Sequence, residues 1–573
     1  MNWDLSALYK NEIVLDKDLY DAMQRAKNFA SMCKGKLGVL SENEFLEAIR
    51  EYESINQTLG RVLTYAFLKF AQNSENGGFY AKYQQEYTNI AEYLLFFELE
   101  FNKIPKPKQE ALIAATPAYR FYLESLLEEK PYQLSQKEER ILLKKEMTSA
   151  SAFSRLFDEH FSRLKFSFDG KKLSEEEILS KLQDSSREVR QKAASAFTKG
   201  LKPHQPLLAY IFNMIKADLA SDCELRGYKS PETPRHLDNK ITQKSVDALI
   251  KTAEGSFELV QTYYTQKAKL LGLETLYEYD RYAPLDDAKE EYDFEKSKQI
   301  VLSAFKEFNP KFHEIALKAF DEGWIDVMPK NKKRGGAFSH PATPNTHPFV
   351  LLNHTNTRRD LFTLAHELGH AIHQYLSREV GYLASDTPLT TSETASVFAK
   401  MLVFDYIKNS LDGKEKSSLY ASKIEDIFST LYRQINFTTF ERLVHAHKGE
   451  LDLDTFNKYW MGESKKMFGE SITLSEDYHI WWSYIPHFIH SPFYCYAYSY
   501  GQLLVLALYG LYKKSDKATF VKNYTSFLSA GGSQSPKELI KKFDFDIEDE
   551  NFWKLGIGEV EGLMSEFKGM SNA

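Results

Sequence analysis

The sequence predicts a mainly α-helical protein with a small amount of β-structure. Its 573 residues include only 27 glycines and 18 prolines, fewer than a turn-rich β protein needs. Apolar residues recur every three or four positions over long stretches, which is the spacing of an amphipathic helix. Helix-start signals of the form Ser-x-x-Glu precede several of these stretches. A hydrophobic content of 43% is enough to fill a large core between such helices.

The first clear helix begins after Ser41, whose capping box with Glu44 precedes an apolar series over residues 45–70. A short polar run breaks this series, and a second apolar series over residues 83–101 predicts a second helix. A short break between two long helices indicates a helical hairpin. Residues 1–115 are therefore predicted to form an N-terminal helical region.

Residues 116–200 are predicted to form a second helical region that contains one β-hairpin. Ser135 opens a helix through a second capping box. Apolar and polar residues alternate over 164–168, and Asp-Gly follows at 169–170, which is the clearest hairpin signal in this half of the chain. Another capping box at Ser174 restarts the helical pattern.

Residues 201–573 form the third predicted region, which is again mainly helical. An extended segment is expected at 279–284, and residues 349–352 are a candidate for a short buried strand. The loop 330–336 is basic and contains two adjacent glycines. Its lysines are expected in solvent, whereas the glycine pair would let the backbone approach a ligand closely. Ser535, followed by Pro536 and then by Glu538, marks a late helix start.

The chemistry of the chain is concentrated in the H-E-x-x-H pattern at residues 366–370. On a helix, His366 and His370 lie on one face, where both imidazoles can bind one Zn²⁺. Glu367 lies beside the first ligand, where its carboxylate can accept a proton from a water molecule. The flanking residues are apolar enough for a buried helix, and Asp360 is the predicted cap at its start.

Two histidines leave room for a third protein ligand. The metzincin pattern requires Gly at position 373 and His at position 376, and His373 and Leu376 exclude that class. Glu393 is the candidate third ligand, at the start of a helix that residues 391–392 can cap. An acidic residue is also favoured there by the helix dipole alone, and Glu379 is a second candidate. His373 is interpreted as a supporting or packing residue.

Several segments together resemble one known family. His-Glu-Leu-Gly-His-Ala-Ile-His at 366–373, followed by Glu-Thr-Ala-Ser at 393–396, is similar to the oligoendopeptidase F branch of the thimet oligopeptidase family. Further segments agree with the same family, and they are residues 1–9, 271–280, 334–339, 347–354 and 486–501. The resemblance covers essentially the whole chain.

The resemblance implies a large, two-lobed helical ellipsoid around a deep substrate channel, with a small β-sheet next to the zinc helix. It implies one Zn²⁺ per chain, held by His366, His370 and Glu393. It also implies a metalloendopeptidase that hydrolyses internal bonds of short oligopeptides, with Glu367 as the general base. Channel walls of this kind would exclude folded proteins.

The resemblance also implies substrate contacts outside the metal site. His487 and Tyr498 are expected to act in catalysis by stabilising the oxyanion, with His490 as a competitor for the histidine role. The expected substrate-binding residues are Gly335, Gly336, Ala337, Tyr494 and Tyr496. The tyrosines could instead belong to an aromatic-rich buried helix.

Composition excludes other classes of protein. A net charge of −7 gives no basic footprint for nucleic acid. Three scattered cysteines are too few for a disulfide framework or a thiolate zinc site. No signal segment or membrane-spanning apolar run is evident. We therefore expect a cytoplasmic protein, monomeric or a small homo-oligomer, with oligopeptides as partners and no nucleic acid or membrane.

Two other functions compete with the endopeptidase. A zinc carboxypeptidase would use the same metal ligands and would need a cation for the substrate's C-terminal carboxylate, for which Arg334, Arg358 and Arg359 are the candidates. A non-catalytic peptide-binding protein could keep the same scaffold. Glu367 argues against this second alternative, because a binding protein has no need of a general base.

Overall fold

A computed structural model describes residues 2–285 and 291–571 of the chain. Helices account for 73% of the residues and strands for 3%. The prediction of a mainly α fold with small sheets is therefore confirmed. Among the described helices, none combines the length and the apolar character that crossing a bilayer requires.

The α-helices follow one another along the whole chain. The first fourteen are α1 (Glu12–Cys33), α2 (Glu42–Gln72), α3 (Gly77–Ala91), α4 (Phe96–Phe101), α5 (Lys106–Ala115), α6 (Arg120–Glu129), α7 (Gln136–Glu146), α8 (Ala150–Arg163), α9 (Glu175–Ser180), α10 (Arg187–Leu201), α11 (Gln205–Arg226), α12 (Thr233–Asp238), α13 (Gln243–Glu254) and α14 (Phe257–Leu270). They are followed by α15 (Phe294–Phe308), α16 (Pro310–Asp321), α17 (Arg358–Ser377), α18 (Tyr382–Ser385), α19 (Leu389–Ser392), α20 (Thr394–Lys408), α21 (Gly413–Thr430), α22 (Tyr432–Ala446), α23 (Leu453–Phe468), α24 (His487–His490), α25 (Tyr496–Lys514), α26 (Lys517–Ser529), α27 (Pro536–Ile540) and α28 (Glu550–Ser571).

Short 3₁₀ helices connect many of these elements. They are Leu5–Ala7, Leu37–Val39, Ser74–Asn76, Pro117–Tyr119, Lys130–Tyr132, Lys181–Gln183, Lys202–His204, Glu278–Asp280, Arg378–Val380, Glu476–Tyr484 and Lys541–Phe543.

Five short strands form two sheets in the described part of the chain. β1 (Phe166–Phe168) and β2 (Lys171–Leu173) form the predicted antiparallel hairpin, with Phe166 opposite Leu173. The second sheet has the order β3 (Ile325–Asp326), β5 (Phe349–Leu351), β4 (Phe338–His340). β5 runs parallel to β3 and antiparallel to β4. All three residues of β5 are buried, as expected for the central strand of a covered sheet.

The chain divides into two compact units, each assembled from three separate stretches. Unit 1 comprises Met1–Pro131, Lys289–Ile407 and Tyr512–Asp544. Unit 2 comprises Tyr132–Ala288, Lys408–Leu511 and Phe545–Ala573. The regions 1–115, 116–200 and 201–573, drawn from the sequence, remain a prediction about domains along the chain.

The core of unit 1 is formed largely by its N-terminal helices. The capping box at Ser41 is present, with Ser41 and Glu44 bonding each other's backbone N–H, and it starts the 31-residue α2. The buried residues of α2 follow the predicted spacing of three or four from Phe45 to Ala71. These helices pack around the sheet residues Phe349 and Leu351. The sheet and the N-terminal helices therefore share one core.

The core of unit 2 is rich in aromatic residues. Phe197 of α10 contacts Trp481, with ring centroids 5.3 Å apart, and Phe212 of α11 stacks on Phe456 of α23 at the same distance. Trp482 also stacks on Phe456, with ring centroids 4.4 Å apart. Much of the chain's 14% aromatic content therefore fills cores.

Two predicted elements differ from the structure. The helix predicted over 83–101 ends at Ala91, and a turn separates it from α4, which lets the adjacent Phe96 and Phe97 both pack on Phe29. The segment predicted to be extended at 279–284 instead begins within a 3₁₀ helix. That turn brings the fully buried Asp280 into ion pairs with Arg187 and Arg190.

Candidate active site

Helix α17 carries the H-E-x-x-H residues and is held firmly at its start. Thr357 is the N-cap, and Asp360 closes a capping box with it. The prediction that Asp360 itself is the cap is therefore wrong by three residues, although its carboxylate still binds the helix start. Leu364 and Leu368 face the core and are fully buried. Their burial fixes the rotation of α17 and thus the direction in which its polar residues point.

Three side chains of unit 1 converge in the arrangement expected of metal ligands. His366 Nε2 and His370 Nε2 are 3.2 Å apart, and Glu393 Oε2 lies 3.5 Å from the first and 3.6 Å from the second. Two ligand atoms bound tetrahedrally to zinc at about 2.0–2.2 Å are about 3.3–3.6 Å apart. Both the donor set and the spacing therefore fit one zinc ion.

Glu393 lies at the junction between α19 and α20. Residues 391–392 belong to α19 and do not cap a helix that follows them, so this part of the prediction is wrong. Ser396 Oγ donates to Glu393 Oε2 at 2.8 Å and fixes the orientation of the carboxylate. Burial acts to raise the pKa of Glu393, but His370, His366 and Ser396 together hold it below its ordinary value.

The alternative third ligand, Glu379, is placed differently. It lies in the short 3₁₀ helix after α17, its side chain is 81% exposed, and it pairs with Arg378 at 3.5 Å. His373 is buried one turn after His370, and its ring interacts with the Ser392 backbone. Burial lowers the pKa of His373 to about 3, so its ring is neutral. This location agrees with a packing or supporting role.

Glycine at position 369 allows α17 and α20 to touch. A Cβ atom added to Gly369 would lie 2.6 Å from the Ala395 carbonyl oxygen and 2.6 Å from Ser396 Cα. Both are backbone atoms at the start of α20, directly after Glu393. The close contact between the two helices therefore brings the third ligand, Glu393, to the two histidines.

Glu367 is the buried acid of the site. Burial raises the pKa of Glu367 to about 8, the nearby Glu393 carboxylate adds to this rise, and a hydrogen bond from the Ser339 backbone opposes it. Ser339 belongs to β4, and its hydroxyl donates to Gln374 Oε1 at 2.7 Å. Gln374 Nε2 donates in turn to the Ser339 carbonyl oxygen at 3.2 Å. Gln374 thus holds the residue that orients Glu367.

The candidate ligands and Glu367 line one cavity of about 420 Å³. Its walls within unit 1 are β4, α17 and the segment 385–393. Ala337 lines the cavity, as predicted for a substrate-binding residue, whereas Gly335 and Gly336 precede the lined part of the loop. Gly336 has a left-handed backbone with φ +76°. Asn353 Nδ2 donates to the carbonyl oxygens on both sides of this turn, at Arg334 and Gly336.

The basic loop before these glycines is not a free surface loop. Lys333 Nζ pairs with Asp326 Oδ1 at 2.9 Å, and both side chains are fully buried. Lys330 pairs with the same carboxylate at 3.0 Å. The expectation of solvent-exposed lysines is therefore wrong for Lys333, because the buried Asp326 at the end of β3 needs a cation. This pair fixes the loop that leads to Ala337.

The predicted oxyanion residues lie together in unit 2. His487 Nε2 is 3.3 Å from the Tyr498 hydroxyl, and the Tyr494 ring lies next to both. All three side chains are half-buried. Burial lowers the pKa of His487, and the positive charge of Arg433 lowers it further, which favours the neutral ring.

Tyr496 and His490 are placed differently from this cluster. Tyr496 is fully buried, and its hydroxyl bonds His236 Nδ1 at 2.9 Å and Asn239 Nδ2 at 3.0 Å. Its burial leaves Tyr496 no surface for a substrate, and its hydroxyl is already hydrogen-bonded. Tyr496 is therefore a core residue, whereas the sequence predicted that it contacts the substrate. His490 is exposed and pairs with Asp158 at 2.8 Å, which commits its ring elsewhere.

Sequence reasoning missed much of the cavity wall, including Ser339, Gln374 and Asp386. Ser339 lies inside a segment already singled out, and Gln374 follows Glu367 by seven residues, a spacing that returns to the same helix face. Gln374 could have been found from that spacing. Asp386 also lines the cavity, but nothing in its surrounding sequence distinguishes it from a loop residue.

Comparisons with known proteins match almost the whole chain. The model of peptidase family M3 matches residues 180–559, and a model described as oligopeptidase F matches residues 100–166. The chain is 29% identical to oligopeptidase PepF of Bacillus subtilis, over 95% of this chain and 83% of the relative. It is 28% identical to the oligoendopeptidase F homologue of Borreliella burgdorferi, over 98% of both chains.

Solved structures share the fold. A peptidase structure from Chlamydophila abortus superposes with a TM-score of 0.89 at 24% identity, covering 99% of this chain and 98% of the other. Oligoendopeptidase F from Enterococcus faecium superposes with a TM-score of 0.71 at 20% identity, covering 98% of this chain and 99% of the other.

Proposed function

Because the chain belongs to peptidase family M3 and is a metalloendopeptidase of the oligoendopeptidase F type, we propose that it uses one zinc ion to hydrolyse internal bonds of short peptides. The observation that carries the proposal is the set of three donors with mutual distances of 3.2, 3.5 and 3.6 Å. The buried Glu367 lines the same cavity as these donors. Co²⁺ or Mn²⁺ would also suit these ligands, so metal identity is part of the test.

His366, His370 and Glu393 would hold the metal. Zinc bound there would supply Lewis-acid chemistry for peptide hydrolysis. Ser396 keeps the Glu393 carboxylate in position, as its 2.8 Å hydrogen bond indicates. Gly369 keeps α20 close enough for Glu393 to meet the two histidines.

Glu367 acts as the general base. Its carboxylate accepts a proton from the attacking water and later delivers a proton to the leaving amine. The backbone N–H of Ser339 aims the carboxylate, and Gln374 holds Ser339 in place. A carboxylate oriented in this way is prepared for proton transfer before the substrate arrives.

His487 and Tyr498 stabilise the oxyanion, and Tyr494 contacts the peptide. The half-buried cluster of these three side chains supports this assignment, since each keeps a surface for a ligand. Ala337 and the turn at Gly335 and Gly336 approach the peptide backbone. Tyr496 is left out of the proposal because its hydroxyl is occupied.

A carboxypeptidase is the weaker alternative. Within the described residues, none of Arg334, Arg358 and Arg359 lines the cavity. The Arg334 guanidinium instead lies over the rings of Phe67 and Phe338, at 5.6 and 5.8 Å. A non-catalytic binding protein is disfavoured by the oriented Glu367. The cytoplasmic location and the monomeric or small homo-oligomeric state remain predictions.

The test is cleavage of quenched peptides of graded length, with and without a metal chelator. Cuts at internal bonds should disappear with chelator and return with Zn²⁺, and elemental analysis should find one zinc per chain. A peptide with a blocked C-terminus should still be cut, and a folded protein should be spared. A zinc-loaded sample that cuts none of the peptides would refute the proposed function.

A further inference from the structure

Asp386 places a carboxylate in the wall of the cavity without a counter-charge. It lines the same cavity as His366 and Glu367, and its side chain is open to solvent. The cavity encloses it enough that partial burial raises the pKa of Asp386, while the Thr387 backbone opposes the rise. No lysine or arginine is among the described residues that line the cavity. Elsewhere in the described part of the chain, no lysine or arginine forms an ion pair with Asp386.

The backbone around Asp386 is held tightly by glycines. Gly532 N–H donates to the Ala384 carbonyl oxygen at 2.8 Å, and a Cβ atom on Gly532 would collide with the Asp386 carbonyl oxygen. On the other side, Gly381 has φ +90°, and a Cβ atom there would lie 2.6 Å from Glu53 Oε1. The backbone of this segment is therefore held on both sides of Asp386.

The position of Asp386 along the cavity follows from α17. Ser377 Oγ is 3.5 Å from the Ser385 carbonyl oxygen, so Asp386 lies near the end of that helix. Ser377 follows His370 by seven residues, which is about 10 Å along a helix axis. An extended peptide advances about 3.3 Å per residue, so about three residues cover this distance.

We propose that Asp386 forms a specificity subsite for a lysine or arginine side chain of the substrate, up to about three residues from the cleaved bond. The proposal rests on the proposed peptidase function and names the class of peptide that the site prefers. A long cationic side chain can reach a carboxylate on the wall while the peptide backbone follows the metal ligands. A glutamate at the same substrate position would meet a like charge and be disfavoured.

The expected preference is moderate, because the carboxylate is open to solvent. Charge-assisted hydrogen bonds stabilise a complex more than neutral ones, and solvent weakens them. We expect kcat/KM for a peptide with lysine at the preferred position to exceed that for the same peptide with glutamine by about tenfold. The difference should appear mostly in KM, since the contact is remote from the reacting bond.

The experiment scans lysine, glutamine and glutamate through the positions of one blocked peptide. Asp386→Asn is the isosteric neutral variant, Asp386→Lys reverses the charge, and Asp386→Glu should keep the preference. Thr387→Val is the matched control, because it alters the neighbouring cavity residue without changing charge. Circular dichroism and metal content establish that each variant is folded and loaded.

In Asp386→Asn the lysine-to-glutamine ratio of kcat/KM should fall to about one. In Asp386→Lys the peptide with glutamate should be cut with a higher kcat/KM than the peptide with lysine. It expects the ratio to survive in Asp386→Glu and Thr387→Val. An unchanged ratio in Asp386→Asn would overturn it. If the wild type cuts none of the peptides, the peptidase function fails separately, and the same ratios are then measured as binding of labelled peptides.

Discussion

Replacing Gly369 by alanine tests whether helix contact controls the metal site. Gly369 lies between the two histidines on α17, and a Cβ atom there would lie 2.6 Å from backbone atoms of Ala395 and Ser396. Backbone atoms of a helix cannot turn aside as a flexible side chain can. The added methyl group must therefore push α20 away, and Glu393 at its start moves with it.

The size of this movement follows from contact distances. Ordinary van der Waals contact begins at about 3.4 Å, so the helices must separate by about 3.4 − 2.6 = 0.8 Å. A metal site tolerates ligand distances only within about 0.2 Å. We therefore expect Gly369→Ala to weaken metal affinity by about 10- to 100-fold and to destabilise the fold by about 1–3 kcal/mol.

The assay follows metal loss to a chelator by elemental analysis, together with thermal unfolding of the metal-free protein. The control is Gly78→Ala on α3, where an added Cβ atom meets nothing within 4 Å. Alanine there should leave metal affinity unchanged and stabilise the helix by up to about 1 kcal/mol. If Gly369→Ala binds metal as tightly as the wild type, the tight helix contact does not set the ligand geometry.

Three further perturbations give distinct outcomes. Glu367→Gln should keep bound metal while kcat falls by about 10²–10⁴, and unchanged turnover would refute the general-base role. Gln374→Leu removes both bonds to Ser339, so kcat should fall by about tenfold with metal content and KM nearly constant, and an effect on KM alone would contradict this. Burial raises the pKa of Glu441 from its ordinary 4.5 to about 8 against the opposing bond from the Phe493 backbone. The folded state then binds this proton more tightly than the unfolded state, so wild-type stability should fall as pH rises from about 4.5 to 8. Glu441→Gln should make that decline shallower in melting curves, because the raised pKa of Glu367 still contributes to it, and an unaltered pH slope would contradict the prediction.

The sequence predicted features that depend on local chemistry. Capping boxes are visible in a few adjacent residues, so the helix starts after Ser41, Ser135, Ser174 and Ser535 are confirmed. The hairpin after Phe166 has an equally local signal in its Asp-Gly turn. The mainly helical class and the family also followed from sequence patterns.

Features that depend on distant contacts could not be predicted in the same way. Lys333 looks like a surface lysine until β3 brings the buried Asp326 to it. Tyr496 belongs to a motif rich in tyrosines, yet His236, 260 residues away in the chain, occupies its hydroxyl. In both cases the deciding partner lies far along the chain, where periodicity carries no information about it.

The discontinuous composition of the two units has a consequence for biosynthesis. Unit 1 requires residues 512–544, and unit 2 requires residues 545–573, so each unit includes a stretch that leaves the ribosome after all its other parts. At about 5–20 residues per second, the ribosome needs roughly 30 to 115 s to make the chain. Most core partners of α1 and α2 are made within the first 123 residues, whereas Phe349 and Leu351 of the sheet follow much later. A chain interrupted at residue 511 would leave both units incomplete.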